Sequence, residues 1–299
     1  MCHYKGVPND QDLSDSLHLA RCAVNAEMMQ WDKHYIKKTD KPKTVHIVGG
    51  GIGGMECALV LKQRGHTPVI FEKTNELGGL FLTASAMSFK ENDKELIEWY
   101  KKEVEKQGID IRFNTEVTDL GTMRGFDEII VATGSVPRTM PMIPGFEKTL
   151  SFTELLKDKK EVGDKVLFIG GGQSSCEAAY DLVLQGKHPI IVEYANDLIA
   201  AQATCLANTS FLRDAMEYHK VPTYLESTVT EIKDNGVTVK NVKTGETFFV
   251  ECDNVVNGIG FVPAPVGEKG RHVHRVGDCV AIGNLRTVIW RAWDVCMKI

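Results

Sequence analysis

The chain lacks any long apolar run. No hydrophobic stretch approaches the roughly 20 residues that span a bilayer, and the first twenty residues are too polar for a secretory signal. It also lacks a strong charge of either sign, with 35 Lys and Arg against 40 Asp and Glu and a net charge of −5. That balance removes the electrostatic reason to expect nucleic acid or an anionic membrane as partner. The one basic cluster, Lys33 to Lys43, is interleaved with Asp32 and Asp40 and reads as a solvated connector. No C-x-x-C pair occurs, which excludes a vicinal redox dithiol. The eight cysteines are scattered, and a chain of 299 residues needs no disulfide staples, so a reducing cytoplasm is the expected compartment. The nine histidines form no H-E-x-x-H and meet no C-x2-C, so no metal site is expected. His272 and His274 read as strand residues near the surface.

What is present is a repeated glycine turn. Val48-Gly49-Gly50-Gly51-Ile52-Gly53-Gly54 follows the apolar run Val45, Ile47 and Val48, and a second run, Val69-Ile70-Phe71, leads to Glu72. Ile169-Gly170-Gly171-Gly172-Gln173-Ser174-Ser175 follows Val166-Leu167-Phe168, and Ile190-Ile191-Val192 leads to Glu193. The interval from 49 to 72 equals that from 170 to 193. Each turn thus sits in a complete strand–turn–helix–strand–acid unit, the fingerprint of a dinucleotide site. Gly49 and Gly170 allow the tight turn, Gly51 and Gly172 leave room for pyrophosphate, and Gly54 and Ser175 stay small where helix meets strand. Phosphates then sit on free N–H groups at a helix N-terminus. Glu72 and Glu193 can accept from a ribose diol. A carboxylate at Glu193, with no arginine in the following residues, predicts NADH over NADPH.

Around these units the pattern predicts a short helix near Leu17 to Met29 and a glycine turn at Glu76-Leu77-Gly78-Gly79-Leu80. An amphipathic helix carries Leu96, Ile97, Tyr100 and Val104 and stops at Gly108. Ile109 to Val117 alternates like a strand. Ile129-Ile130-Val131 is a short buried strand ending in Ala132-Thr133-Gly134, and Pro137 to Pro144 reads as a crossover. Strands are expected at Val237–Val242, Thr247–Val250 and Val255-Val256, then a return through Val276-Gly277-Asp278 to a helix from Leu285. Cys57, Cys176 and Cys279 read as small packing residues. Trp290 and Trp293 read as core or interface, with a docking surface on that last helix as the minority reading.

The four motifs Gly49–Gly54, Ala132-Thr133-Gly134, Gly170–Ser175 and Gly277-Asp278, in that order, resemble those of the two-dinucleotide flavoprotein reductases. Thr133-Gly134-Ser135-Val136-Pro137-Arg138 and Arg21-Cys22-Ala23-Val24-Asn25 narrow the resemblance. They look like the carboxy-terminal half of the 2,4-dienoyl-CoA reductase, enoate reductase and trimethylamine dehydrogenase family. The implied fold class is α/β with two Rossmann-like dinucleotide-binding domains, the NAD domain inserted into the FAD domain. Residues 1–43 would be a remnant of a cysteine-cluster region, 44–145 with 264–299 the FAD-binding domain, and 146–263 the NAD(H)-binding domain. The resemblance implies that Gly49, Gly51, Gly53, Gly54, Glu72, Lys73, Gly79, Leu80, Val117, Ala132, Thr133, Gly134, Gly277 and Asp278 serve FAD. It implies that Gly170, Gly172, Gln173, Ser174, Glu193, Ile259 and Gly260 serve NAD(H). The helix from Leu285 would aim its N-terminus at the flavin pyrimidine.

The implied reaction is hydride transfer from nicotinamide to flavin, which requires no catalytic side chain. In the family, an FMN-bearing barrel and a four-cysteine iron–sulfur segment come first. A barrel needs about 250 residues, and 43 stand ahead of the first motif here. Cys22 matches the last cluster ligand and Cys2 an earlier one, but Gly6 stands where a third would be, so no cluster within this chain is expected. The link from Phe261-Val262-Pro263 to His272 is shorter than in relatives. The expectation is an NADH-oxidising FAD module passing electrons to a separate FMN or iron–sulfur protein. A self-sufficient oxidase or quinone-type reductase, and a binding subunit or fragment of a longer reductase, are the alternatives.

Overall fold

The computed structural model describes residues 2–4, 20–30, 33–200 and 205–299. Cys2–Tyr4 (β1) and Ala20–Cys22 (β2) form an antiparallel pair with Cys2 opposite Cys22. The helix expected near Leu17 to Met29 is therefore absent from its described part, where Met29 turns with φ 55°. Gly6 and the first residues of that stretch lie outside the described residues. The following segment is tied to the end of the chain. The Trp290 indole N–H donates to the Cys22 carbonyl at 2.9 Å, and His34 lies against Trp290 and Trp293.

The first unit runs Thr44–Val48 (β3), Ile52–Gln63 (α1), Thr67–Phe71 (β4), Phe81–Ser85 (α2), Glu91–Lys106 (α3), Asp110–Arg112 (β5) and Glu128–Val131 (β6). Its inner strands β3, β4 and β6 are short runs rich in β-branched residues and buried on both faces, as a parallel sheet covered by helices demands. α1 is buried on every side from Ile52 to Leu61 because sheet and helices enclose it. α3 instead turns Ile97, Tyr100 and Val104 inward and ends where Gly108 takes φ 60°. The strand expected over Ile109 to Val117 stops at Arg112, since Asn114 adopts φ 51° and breaks the extended path.

The chain leaves through Ser135–Pro137 (β7) and builds a second unit. It comprises Lys165–Ile169 (β8), Gln173–Leu184 (α4), His188–Val192 (β9), Leu206–Tyr218 (α5), Thr223–Tyr224 (β10), Ser227–Lys233 (β11), Gly236–Asn241 (β12), Thr247–Glu251 (β13) and Asn254–Asn257 (β14). Its parallel sheet has the order β10-β9-β8-β14, and β11-β12-β13 form an antiparallel meander. β11 went unread in the sequence because a register shift between Val229 and Glu231 breaks its alternation.

The chain then returns. Phe261–Pro263 (β15) pairs antiparallel with β7, Val273–Arg275 (β16) pairs parallel with β6, and Leu285–Cys296 (α6) lies on α1. The first sheet, β16-β6-β3-β4-β5, is therefore completed from both sides of the second unit. This is an α/β fold of two Rossmann-like units, one nested in the other. Glu56 of α1 ties the first core together: its carboxylate accepts from Tyr100 Oη of α3 at 2.6 Å and Trp293 Nε1 of α6 at 2.5 Å. Burial pushes that carboxyl above its ordinary range. Among the described residues, no helix is long and apolar enough to cross a membrane.

Candidate dinucleotide sites

The two glycine turns share the same backbone hydrogen-bond pattern. Gly49 N donates to Phe71 O and Gly170 N to Val192 O, both at 2.8 Å. Glu72 Oε2 accepts from Gly50 N at 2.7 Å, and Glu193 Oε2 from Gly171 N at 2.5 Å. The other carboxylate oxygen accepts from Thr74 N at 2.8 Å in the first unit and from Ala195 N at 2.6 Å in the second. Each acid is thus fixed at the end of its strand with lone pairs left for further donors. The likeness extends to Leu77 and Leu198, whose Cδ2 atoms each lie 2.5 Å from where a Cβ on Gly50 or Gly171 would stand. The sequence reading had not paired those leucines, although they follow the acids at equal distance.

Several glycines are explained by the fold itself. Gly49 (φ 107°) and Gly170 (φ 98°) take left-handed backbone, and a Cβ there would meet the Ala132 or Gly258 carbonyl oxygen at 2.5 and 2.6 Å. Gly54 has no room because a Cβ would run into the Gly49 carbonyl. Gly53 lets Val288 of α6 close on the start of α1, so both helix N-termini lie side by side.

Gly51 and Gly172 are different. Their φ values, −72° and −68°, suit any residue. A Cβ on Gly172 would meet nothing within 4 Å, and one on Gly51 only Gly78 and Gly79 at 4.0 Å. These two glycines cap α1 and α4, neither helix has a side-chain cap, and neither has an acid in its first turn. An open surface over bare, positively polarised N–H groups is what a pyrophosphate requires, so both units fit a dinucleotide.

The remaining expected residues fall around these turns. Gly79, at φ 56°, places a would-be Cβ 3.1 Å from Gly51 Cα, and Leu80 follows it, 37% exposed. Lys73 is exposed beside Glu72, and Val117 packs with Val48, Val69 and Phe71. In the second unit Gln173 Nε2 donates to Glu177 Oε1 at 2.9 Å, Ser174 is exposed, and Ile259 lies against the β8–β9 core. Ala132-Thr133-Gly134 and Gly258-Ile259-Gly260 end equivalent strands. Ala264 N donates to Gly134 O at 3.0 Å and Arg138 N to Gly260 O at 2.9 Å, so both stretches anchor the β7–β15 ribbon.

Gly277 and Asp278 lie between β16 and α6. Asp278 Oδ1 accepts from Gly283 N at 3.1 Å. Burial raises its carboxyl, against the opposing pull of the Gly283 amide, Arg291 and Ser135. α6 begins with a capping box, Asn284 Oδ1 accepting from Thr287 N at 3.1 Å, and has no acid in its first turn. The thiols of Cys57, Cys176 and Cys279 are buried and packed within the fold. Burial pushes Cys176 up to about 12 and Cys57 well above its ordinary value, and Cys279 Sγ donates to Val131 O and Val276 O. No cluster of potential metal ligands occurs among the described residues.

The sequence reading missed one polar cluster. Glu128 accepts from Lys43 Nζ at 2.7 Å and pairs with His274 Nε2 at 3.0 Å and His272 Nδ1 at 3.3 Å. It sits at the start of β6, the end of the sheet away from the glycine turns, and its role is structural.

Comparison with known proteins agrees with this geometry. The family model for pyridine nucleotide-disulphide oxidoreductases matches residues 43–288. The chain is 33% identical over 285 residues to cinnamate reductase of Clostridium sporogenes, covering 93% of this chain and 42% of that protein. It is 31% identical over 296 residues to NADH oxidase of Thermoanaerobacter brockii, covering 93% of this chain and 44% of that one. The structure of a 2-naphthoyl-CoA reductase complex superposes with a TM-score of 0.84 at 30% identity, over 93% of this chain and 43% of that one. The chain thus spans less than half the length of these relatives.

Proposed function

The chain belongs to the pyridine nucleotide-disulphide oxidoreductase family and is an oxidoreductase using FAD and NAD(H), and from that premise we propose that it oxidises NADH through FAD and delivers the electrons to an acceptor held elsewhere. In this reading FAD binds residues 44–145 with 264–299, and NAD(H) binds 146–263. The observation that carries it is the pair of open, uncapped turns at Gly51 and Gly172, each beside an anchored acid.

Bound FAD supplies a ring that accepts two electrons and can release them one at a time. The chain supplies position and charge. The N-termini of α1 and α4 hold the two pyrophosphates, and Glu72 and Glu193 accept from the adenosine riboses. Glu193 also repels a 2′-phosphate, which favours NADH. Asp278, beside the start of α6, would hydrogen-bond the ribityl or phosphate region of the flavin nucleotide. The start of α6 turns its positive end towards the site where reduction builds negative charge.

The relatives named for cinnamate and 2-naphthoyl-CoA reduction favour a conjugated acid or acyl thioester as final substrate, which in this reading is reduced on a separate FMN or iron–sulfur partner. The relative named NADH oxidase favours oxygen as the second reading. Anaerobic rapid mixing of the FAD-loaded protein with NADH or NADPH, followed at the flavin absorbance band, tests the core of the proposal. Fast bleaching by NADH, with NADPH much slower, is expected. Bound FAD that NADH does not reduce would overturn it. Comparing reoxidation by air with that by an FMN-bearing reductase then separates the two acceptors.

A further inference from the structure

The loop between α2 and α3 belongs in sequence to the first unit but is built into the second. Met87, 2% exposed, sits in the hydrophobic cluster of Phe152, Leu155, Leu156 and Phe168. Next to it Ser88 gives both its amide (2.8 Å) and its hydroxyl (2.6 Å) to Asp181 Oδ1 of α4, while Gln185 Nε2 donates to Asp181 Oδ2 at 2.9 Å. Asp181 is only 6% exposed, so these bonds stand in place of lost water. Phe89 contacts Tyr180 with ring centroids 5.4 Å apart, and Lys90 Nζ lies 3.2 Å from Glu177 Oε1. Glu177, Tyr180 and Asp181 occupy one face of α4 at i, i+3 and i+4. A full face of the helix is therefore seated on the other unit.

The same helix carries Gly172 and Gln173 at its N-terminus, and Gln173 donates to the Glu177 oxygen that Lys90 also reaches. One rigid rod of 12 residues joins the expected NAD pyrophosphate site to the contact with the flavin unit. A shift of this contact moves the nucleotide with it, and a misplacement of about 1 Å can cost about a hundredfold in rate. We propose that the 86–90 loop and the Glu177–Tyr180–Asp181 face of α4 form a permanent clamp between the units, with Asp181 and Glu177 as positioning residues for hydride transfer. This rests on the NADH-to-FAD reading above.

The test uses FAD-loaded protein and three readouts: hydrogen exchange at the Ser88 amide, equilibrium binding of ADP-ribose, and the limiting rate of flavin reduction by NADH. In D181A, exchange at Ser88 should accelerate and the limiting rate should fall about 10- to 100-fold. ADP-ribose affinity should stay within about twofold, because the turn itself is untouched. D181N, whose side-chain oxygen still accepts from Ser88, should recover most of the rate, which a general loss of packing would not allow. If D181A fails to fold, K90M provides the same comparison through Glu177. An unchanged or faster limiting rate with accelerated Ser88 exchange would overturn the clamp, as would a parallel loss of ADP-ribose affinity. Wild-type protein that does not bind ADP-ribose would instead overturn the nucleotide-site reading, and the clamp with it.

Discussion

Glycine has two different reasons in this chain, and single substitutions separate them. A Cβ at Gly54 would run into the Gly49 carbonyl, so G54A should lower stability by ~2–3 kcal/mol through forced backbone shifts. At Gly172 the backbone is ordinary and the space open, so G172A should change stability by less than ~1 kcal/mol. Its added methyl group would nevertheless stand on the pyrophosphate path, and ADP-ribose affinity should drop about tenfold or more. Denaturant titration and calorimetric binding measure the two effects; unchanged affinity in G172A would remove the main support for the second site. Glu193 invites a parallel test. E193A should shift the ratio of NADH to NADPH use about tenfold towards NADPH, since the carboxylate held by Gly171 and Ala195 no longer repels a 2′-phosphate. Little change in that ratio would show that other groups set the preference. These positions were legible in the sequence because turn, phosphate approach and acid all lie within one short unit. Small residues across the helix–strand contact were only half legible. Gly54 is pressed against the Gly49 carbonyl in the first unit, whereas in the second Ser175 stands against Gly258, a glycine whose closeness only the fold reveals.

Elements were legible where a local period governs them and illegible where distant segments meet. α3 follows its apolar stripe, but β5 is cut short by Asn114 and β11 is hidden by its bulge. The Glu128 cluster could not be read at all, since it draws Lys43, Glu128, His272 and His274 from both ends of the chain to the starts of β3, β6 and β16. It carries its own pH dependence. Burial alone would raise the Glu128 carboxyl, but hydrogen bonds from Lys43, His274 and His272 outweigh it and hold the group at about 2, against an ordinary 4.5. A carboxyl lowered on folding stabilises the fold above its ordinary pKa and ceases to do so as pH falls from 4.5 through 2. The interval corresponds to ~3 kcal/mol at most. E128Q should therefore be ~2–3 kcal/mol less stable near neutral pH, with the gap closing as pH approaches 2. Urea unfolding across that range measures it, and a gap independent of pH would assign the cost to packing instead.

At the scale of the molecule, the question is whether two nucleotide-binding units fold as two bodies or one. They share the β7–β15 ribbon, which is narrow and largely exposed, and the Met87 clamp, which is buried. The second places the Met87 side chain of one unit inside the core of the other, so it should dominate the coupling. Nothing near Met87 in sequence announces this, because its partners lie beyond residue 150. The placement of tryptophan makes the coupling measurable. Residues 146–263 contain no tryptophan, and Trp99, Trp290 and Trp293 belong to the first unit, so their fluorescence reports that unit while far-ultraviolet circular dichroism reports both. In the wild-type protein the two unfolding curves should coincide, as one cooperative transition requires. M87A removes a buried side chain at a cost of ~2–4 kcal/mol, and that cost falls on the contact between units. The fluorescence and dichroism curves should then separate, and ADP-ribose should shift only the dichroism phase that belongs to the second unit. Curves that stay superimposed in M87A, displaced together to lower denaturant, would mean that Met87 does not carry the coupling between the two units.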